Sequence, residues 1–178
     1  MIIFSLISIA VLTAVDQLIK LLIVTYLKPV GYKTLIDNLL ELRYLENSGA
    51  TFGMFQGNSL ILAGISLIAI ILILVISFKF KNHNFFTHFS TITIVAGGIG
   101  NLIDRVMFEY VIDYIHVMFF PYVFNFADSL VVLGAISLII YVIFFEMKEQ
   151  KKPPKELSMD EKLIKATPKE EEKTLENE

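Results

Sequence analysis

The chain predicts an all-α polytopic membrane protein, four transmembrane helices carrying a small extracytoplasmic β-sheet, on three observations. First, its 178 residues are 55% hydrophobic with a mean hydropathy of +0.66, more apolar than one soluble core of this length requires. Second, the apolar residues gather into four runs, 2–24, 60–78, 85–103 and 129–145. Each is close to the roughly 20 residues that a helix rising about 1.5 Å per residue needs to cross about 30 Å of hydrocarbon. Third, the polar stretch between the first two runs is too long for a bare turn and alternates apolar with charged side chains around Leu40-Glu41-Leu42-Arg43-Tyr44, the pattern of a strand covered on one face.

The first run has no basic residue ahead of it and no small-x-small exit, so a retained helix is expected rather than a cleaved leader. It carries Asp16 and Lys20 one turn apart on one face, a pair that shares its desolvation cost and locks the helix into a bundle. Beyond the predicted strand, Asn47-Ser48-Gly49-Ala50-Thr51-Phe52-Gly53 offers an amide and two glycines for a tight backbone. Phe52, Met54 and Phe55 are placed to touch lipid or an apolar substrate.

The second and fourth runs leave no polar face for water, which excludes a buried soluble helix for both. The third ends in Gly97-Gly98-Ile99-Gly100-Asn101-Leu102-Ile103-Asp104-Arg105. Its glycines permit close approach of a neighbouring helix, and Asn101, Asp104 and Arg105 can turn hydrogen bonds inward. No lysine-serine pair follows these glycines, so they are not a phosphate loop.

Asp113 and Asp128 flank the segment joining the third and fourth runs, and no charge follows Asp128 until Glu146. A carboxylate at such a place is solvated, paired or functional. If the intervening loop folds back, the two approach and resist joint ionisation, so that one proton is shared. Such a pair can take a proton from water while donating to a carbonyl oxygen or a leaving nitrogen. Asn125, three residues before Asp128, can steady it at the start of the fourth helix.

After Pro153, Lys and Glu dominate and prolines interrupt any helix, so residues 151–178 are expected to be a charged tail, disordered in the cytoplasm, behind a membrane domain of residues 1–150. Lys79, Lys81, Lys148, Lys151 and Lys152 on one side, against Lys28, Lys33 and Arg43 on the other, place both termini inside and the aspartates near the outer face.

Cysteine is absent, which excludes thiolate and iron–sulfur chemistry. His83 and His88 fall on the inner side and His116 in the outer loop, so no metal centre and no cofactor are expected, and no basic stripe points to nucleic acid. From composition and spacing alone a membrane hydrolase, a proton-coupled transporter and a structural or binding protein all remain open. Confinement of the polar residues to the outer half, without an internal repeat, counts against transport.

Five blocks, in order, give this chain a resemblance to the bacterial lipoprotein signal peptidase (signal peptidase II) family: Asp16-Gln17-Leu18-Ile19-Lys20, 47–53, 97–105, Val111-Ile112-Asp113-Tyr114 and Phe124-Asn125-Phe126-Ala127-Asp128. The resemblance covers the chain from its start to about residue 147. It implies a four-helix inner-membrane aspartic endopeptidase, multi-pass and monomeric. Such an enzyme removes the signal peptide from diacylglyceryl-modified prolipoproteins, cutting just before the lipidated cysteine, and is a target of globomycin-type inhibitors. The catalytic pair becomes Asp113 and Asp128, with substrate-binding or supporting roles for Asp16, Lys20, Asn47, Gly49, Asn101, Asp104, Arg105 and Asn125. Membrane lipids are then its surroundings, and the family's small outer sheet agrees with the strand expected here.

Hydrolysis would proceed without a covalent intermediate, through a water held between the two aspartates. Asn47 is expected to hold substrate backbone and Arg105 to pin the end of the third helix against the loops. A cleft between the second, third and fourth helices, partly closed by residues 39–55, would admit the acylated substrate from lipid. Two features depart from the family: the tail exceeds its core, and Tyr114 stands where phenylalanine is frequent, adding a hydroxyl outside the expected chemistry.

Overall fold

The computed structural model describes residues 2–49, 57–79 and 84–146. Phe52, Met54 and Phe55, the turn bearing Lys81 and His83, and the charged tail lie outside the described residues. Residues 1–142 form one compact unit. Its helices are α1 (Ile2–Leu22), α2 (Ser59–Lys79), α3 (Phe85–Phe108) and α4 (Phe126–Tyr141), with π-helical turns extending α1 over Ile23–Leu27 and α4 over Val142–Glu146. Among the described residues four helices are long and apolar enough to cross a membrane, and the chain is a multi-pass membrane protein.

The central helix is α3, 44% of whose most apolar stretch is buried against 17–28% for the others. The others present Leu, Ile and Val outward, as lipid demands: Leu18, Ile68 and Ile136 are all at least half exposed. Glycines let α3 take this place. A Cβ on Gly97 would stand 2.3 Å from the Ala127 carbonyl oxygen and one on Gly100 2.5 Å from Asp16 Oδ2, so α4 and α1 approach α3 more closely than any side chain would allow. Hydroxyls add bonds between helices, Thr13 Oγ1 to the Ala96 carbonyl at 3.3 Å and Ser137 Oγ to the Phe86 carbonyl at 3.0 Å.

All four strands lie on the two connections at one end of the bundle: β1 (Tyr32–Ile36) and β2 (Leu40–Asn47) between α1 and α2, β3 (Val111–Val117) and β4 (Val123–Phe124) between α3 and α4. They form one antiparallel sheet in the order β1-β2-β3-β4. Ile112 and Tyr114 of β3 pack on Ile23 and Leu27, seating the sheet on the end of α1. Only β2 matches the strand expected from alternation; β1 is exposed throughout, and the first four residues of β3 are all buried.

Glu109 caps α3 in the left-handed region at φ 64°, its amide bonded to the Arg105 carbonyl. That reversal is the physical form of the expected fold-back. It starts β3 two residues later and brings Asp113 over the end of the helix it has just left.

Candidate active site

Asp113 stands in β3, opposite Leu45 of β2, and Asp128 in the first turn of α4. Both line one cavity of about 1030 Å³. Its walls come from α2 (Ser66, Ala69, Ile70), α3 (Ile94, Gly98, Asn101, Arg105), α4 (Val131, Val132) and the sheet, so the expected cleft between those three helices is present. The part of 39–55 that was to close it is described only as far as residue 49.

The carboxylates are held by amides. Asn47 Nδ2 donates to Asp113 Oδ2 at 2.8 Å, and Asn125 Nδ2 to Asp113 Oδ1 at 2.6 Å. Asn101 Nδ2 donates to Asp128 Oδ1 at 2.7 Å, and the Asn125 backbone N–H to Asp128 Oδ2 at 3.2 Å. Asn125, fully buried, therefore touches both acids. It does so as the N-cap of α4: Asn125 Oδ1 accepts from the Asp128 amide at 2.8 Å while Asp128 reaches back to the Asn125 amide, a capping box whose acid is the candidate catalytic residue.

Three further sites complete the start of α4, where the first amides of any helix lack partners. The Phe126 amide donates to Tyr114 Oη at 3.1 Å, and the Ala127 amide to Asp16 Oδ1 at 3.1 Å. Ser129 Oγ donates to the Asn125 carbonyl at 3.1 Å. The Tyr114 hydroxyl, expected to stand apart, thus ties β3 to α4.

Beneath the dyad lies a buried charge cluster. Lys20 Nζ is 2.8 Å from Asp16 Oδ2 and 2.9 Å from Asp104 Oδ2, all three side chains being at most 2% exposed. Lys20 also donates to Asn101 Oδ1 at 3.1 Å. Gln17, which the sequence did not single out, donates Nε2 to Asp104 Oδ1, the Gly100 carbonyl and Asp16 Oδ2 at 3.0, 3.1 and 3.2 Å. Only its place beside Asp16 on the inward face of α1 marks it.

Asn47 and Arg105 both make contacts within the protein. Asn47 turns both ends of its amide inward, donating to Asp113 and accepting from the Gly49 amide at 3.1 Å, so it orients a carboxylate and a turn. Arg105 donates Nη1 to the Asn101 carbonyl of its own helix at 3.4 Å, and its Nε is buried without a partner among the described residues. Arg105 also lines the cavity. His116 lies in β3 and not in a loop; its Nδ1 is 2.8 Å from Glu41 Oε1, a contact that with Arg43 holds Glu41 below the usual carboxylate range. Among the described residues no group of three His, Cys, Asp or Glu side chains is placed to hold a metal.

Burial, and then the Asp128 carboxylate, push Asp113 up to about 7 against the pull of its Asn47 and Asn125 donors. A carboxyl poised there can give or take a proton near neutrality. Two such acids facing one cavity can activate a water and protonate what it attacks.

The model of the signal peptidase (SPase) II family matches residues 8–144. The lipoprotein signal peptidase of Caldanaerobacter subterraneus subsp. tengcongensis is 39% identical over 140 residues, 79% of this chain and 96% of that protein. That of Clostridioides difficile is 40% identical over 143 residues, 80% and 96% of the two. A bacterial membrane enzyme structure obtained by the in meso method at 2.3 Å superposes with a TM-score of 0.74 at 28% identity, covering 85% of this chain and 94% of that one.

Proposed function

This chain belongs to the signal peptidase II family, membrane peptidases that remove signal peptides from prolipoproteins, and we propose that Asp113 and Asp128 are the catalytic pair with which it does so. The observation that carries this reading is the shared cavity: both carboxylates face it, joined through Asn125 and held by neutral amide donors. Among the described residues no lysine or arginine is ion-paired with either acid, which leaves their proton available.

Asp113, pushed up to about 7, is assigned the shared proton and Asp128 the role of base. Asp128 takes a proton from the water as its oxygen attacks the scissile carbonyl carbon. Asp113 gives its proton to the carbonyl oxygen, forming a gem-diol; as the C–N bond breaks, the departing nitrogen takes the proton that Asp128 took up, and one gem-diol hydroxyl returns a proton to Asp113 as the new carboxyl group forms. Asn47, Asn101 and Asn125 fix the two carboxylates, and Gly49 fixes Asn47.

The substrate is a diacylglyceryl-modified prolipoprotein cut just before its lipidated cysteine. Its acyl chains enter along the apolar walls that α2 and α4 give the cavity, and globomycin-type inhibitors compete there. The enzyme works as a monomer in the cytoplasmic (inner) membrane, with both termini inside, the sheet and dyad at the outer face, and residues 151–178 as a separate tail.

The test is to replace Asp113 or Asp128 by asparagine and follow conversion of a purified diacylglyceryl-modified prolipoprotein by its mobility shift. Each single variant is expected to lose at least about 1,000-fold in kcat while keeping its unfolding temperature and substrate binding, with the double variant scarcely worse than either. Cleavage within about tenfold of normal by either variant would remove the pair from the chemistry.

A further inference from the structure

The residues just before the two aspartates are held in the same way from different helices. The Ile112 amide, one residue before Asp113, donates to Asp104 Oδ2 at 3.2 Å, and the Ala127 amide, one residue before Asp128, donates to Asp16 Oδ1 at 3.1 Å. Those two anchoring carboxylates meet on one atom, Lys20 Nζ, at 2.8 and 2.9 Å. Gln17 Nε2 spans the same pair. A third arm of Lys20 reaches Asn101 Oδ1, which also accepts from Asn125 Nδ2 at 3.1 Å. With its oxygen between two donors, the Asn101 amide cannot flip without turning its NH2 onto the ammonium, so its Nδ2 is committed to Asp128.

Three charges buried to this depth cost several kcal/mol each, and their attraction does no more for adhesion than apolar side chains of similar volume would. What apolar packing would not supply is a fixed span between two amides on different elements. None of Asp16, Gln17, Lys20 and Asp104 lines the cavity, so none meets substrate.

Resting on the dyad reading above, we propose that Lys20 is the positioning residue of the active site: with Gln17 it sets the span between Asp16 and Asp104, and through the Ile112 and Ala127 amides and Asn101 it sets the separation of Asp113 and Asp128. A displacement of about 1 Å at reacting groups costs on the order of 100-fold in rate. Its loss therefore falls on kcat and leaves KM alone.

The experiment compares Gln17→Leu, which keeps all three charges, with the triple variant Asp16→Asn/Lys20→Met/Asp104→Asn, which removes the charges but keeps oxygens for both amides. Both are assayed in detergent on a diacylglyceryl-modified prolipoprotein beside Asp113→Asn, after their unfolding temperatures are checked. Expected are a fall in kcat of about 10-fold for Gln17→Leu and about 100-fold for the triple variant, with KM within about twofold of normal. A folded triple variant that keeps its kcat, or a Gln17→Leu enzyme with normal kcat or with raised KM alone, overturns the proposal. Should the triple variant fail to fold, Gln17→Leu decides by itself. Full activity in Asp113→Asn would instead overturn the dyad, a result that no Lys20 or Gln17 phenotype can imitate.

Discussion

Asn125 serves two structures with one amide: its oxygen caps α4 through the Asp128 N–H, and its nitrogen bridges Asp113 and Asn101. The acid it touches in β3 gives the site its pH dependence. Asp113 is pushed up to about 7, and in the proposed role of proton donor it must be protonated. Above that pH its protonated fraction falls, so kcat/KM should drop about tenfold per unit, measurable between about pH 5 and 9. A flat profile to the alkaline end would place the proton elsewhere. The same shift bears on stability. The folded protein holds this proton more tightly than an ordinary aspartate of pKa 3.8, so the contribution is complete below 3.8 and is lost as pH rises through about 7. The unfolding temperature in detergent should fall across that window, and less steeply in Asp113→Asn.

At the scale of elements, close approach is the device that assembles the site. Ala in place of Gly97 would put a methyl 2.3 Å from the Ala127 carbonyl, one residue from Asp128, whereas at Gly64 nothing lies within 4 Å. Gly97→Ala should therefore destabilise the bundle by about 1–3 kcal/mol and slow cleavage, while Gly64→Ala should do neither. Denaturant titration and turnover check both, and equal behaviour of the two would mean that α3 and α4 can slide apart without harm. The helices were legible because a membrane crossing needs a long apolar run whatever its neighbours. β2 was legible because Leu40, Leu42 and Tyr44 alternate with charged residues, of which Arg43 is exposed although Glu41 is buried against His116. By contrast, β3 sits inside the sheet with Val111, Ile112, Asp113 and Tyr114 all buried, so its sequence has no alternation to read. β1 has no covered face, and β4 is two residues long. Asp113 and Asp128 were both legible as residues flanking one connection, and the resemblance named them as a catalytic pair. The place of Asp113 on a strand became visible only with the left-handed turn at Glu109.

For the whole molecule, connectivity alone gathers the sheet and both aspartates at one end of the bundle, since both strand-bearing connections join helices there. The absence of cysteine makes the sidedness of that end easy to measure. A cysteine in place of Lys33 should react with an impermeant maleimide on intact cells, and one in place of Lys79 only after permeabilisation; the reverse pattern would invert the topology. The separation of contributors explains why spacing alone makes the Asp16–Lys20 pair no more than a lock for α1: Asp16 reaches Ala127 across 111 residues, a distance no local pattern encodes. That same span has a meaning during synthesis. The Asn125 cap, Asp128 and the anchor for Asp16 all belong to the start of α4, the last crossing to leave the ribosome. Until it docks, Asp113 has its Asn47 donor and the Asp104 anchor beside it, but neither the second carboxylate nor the Asn125 bridge. If the two aspartates are the catalytic pair, cleavage should begin only once that helix has docked.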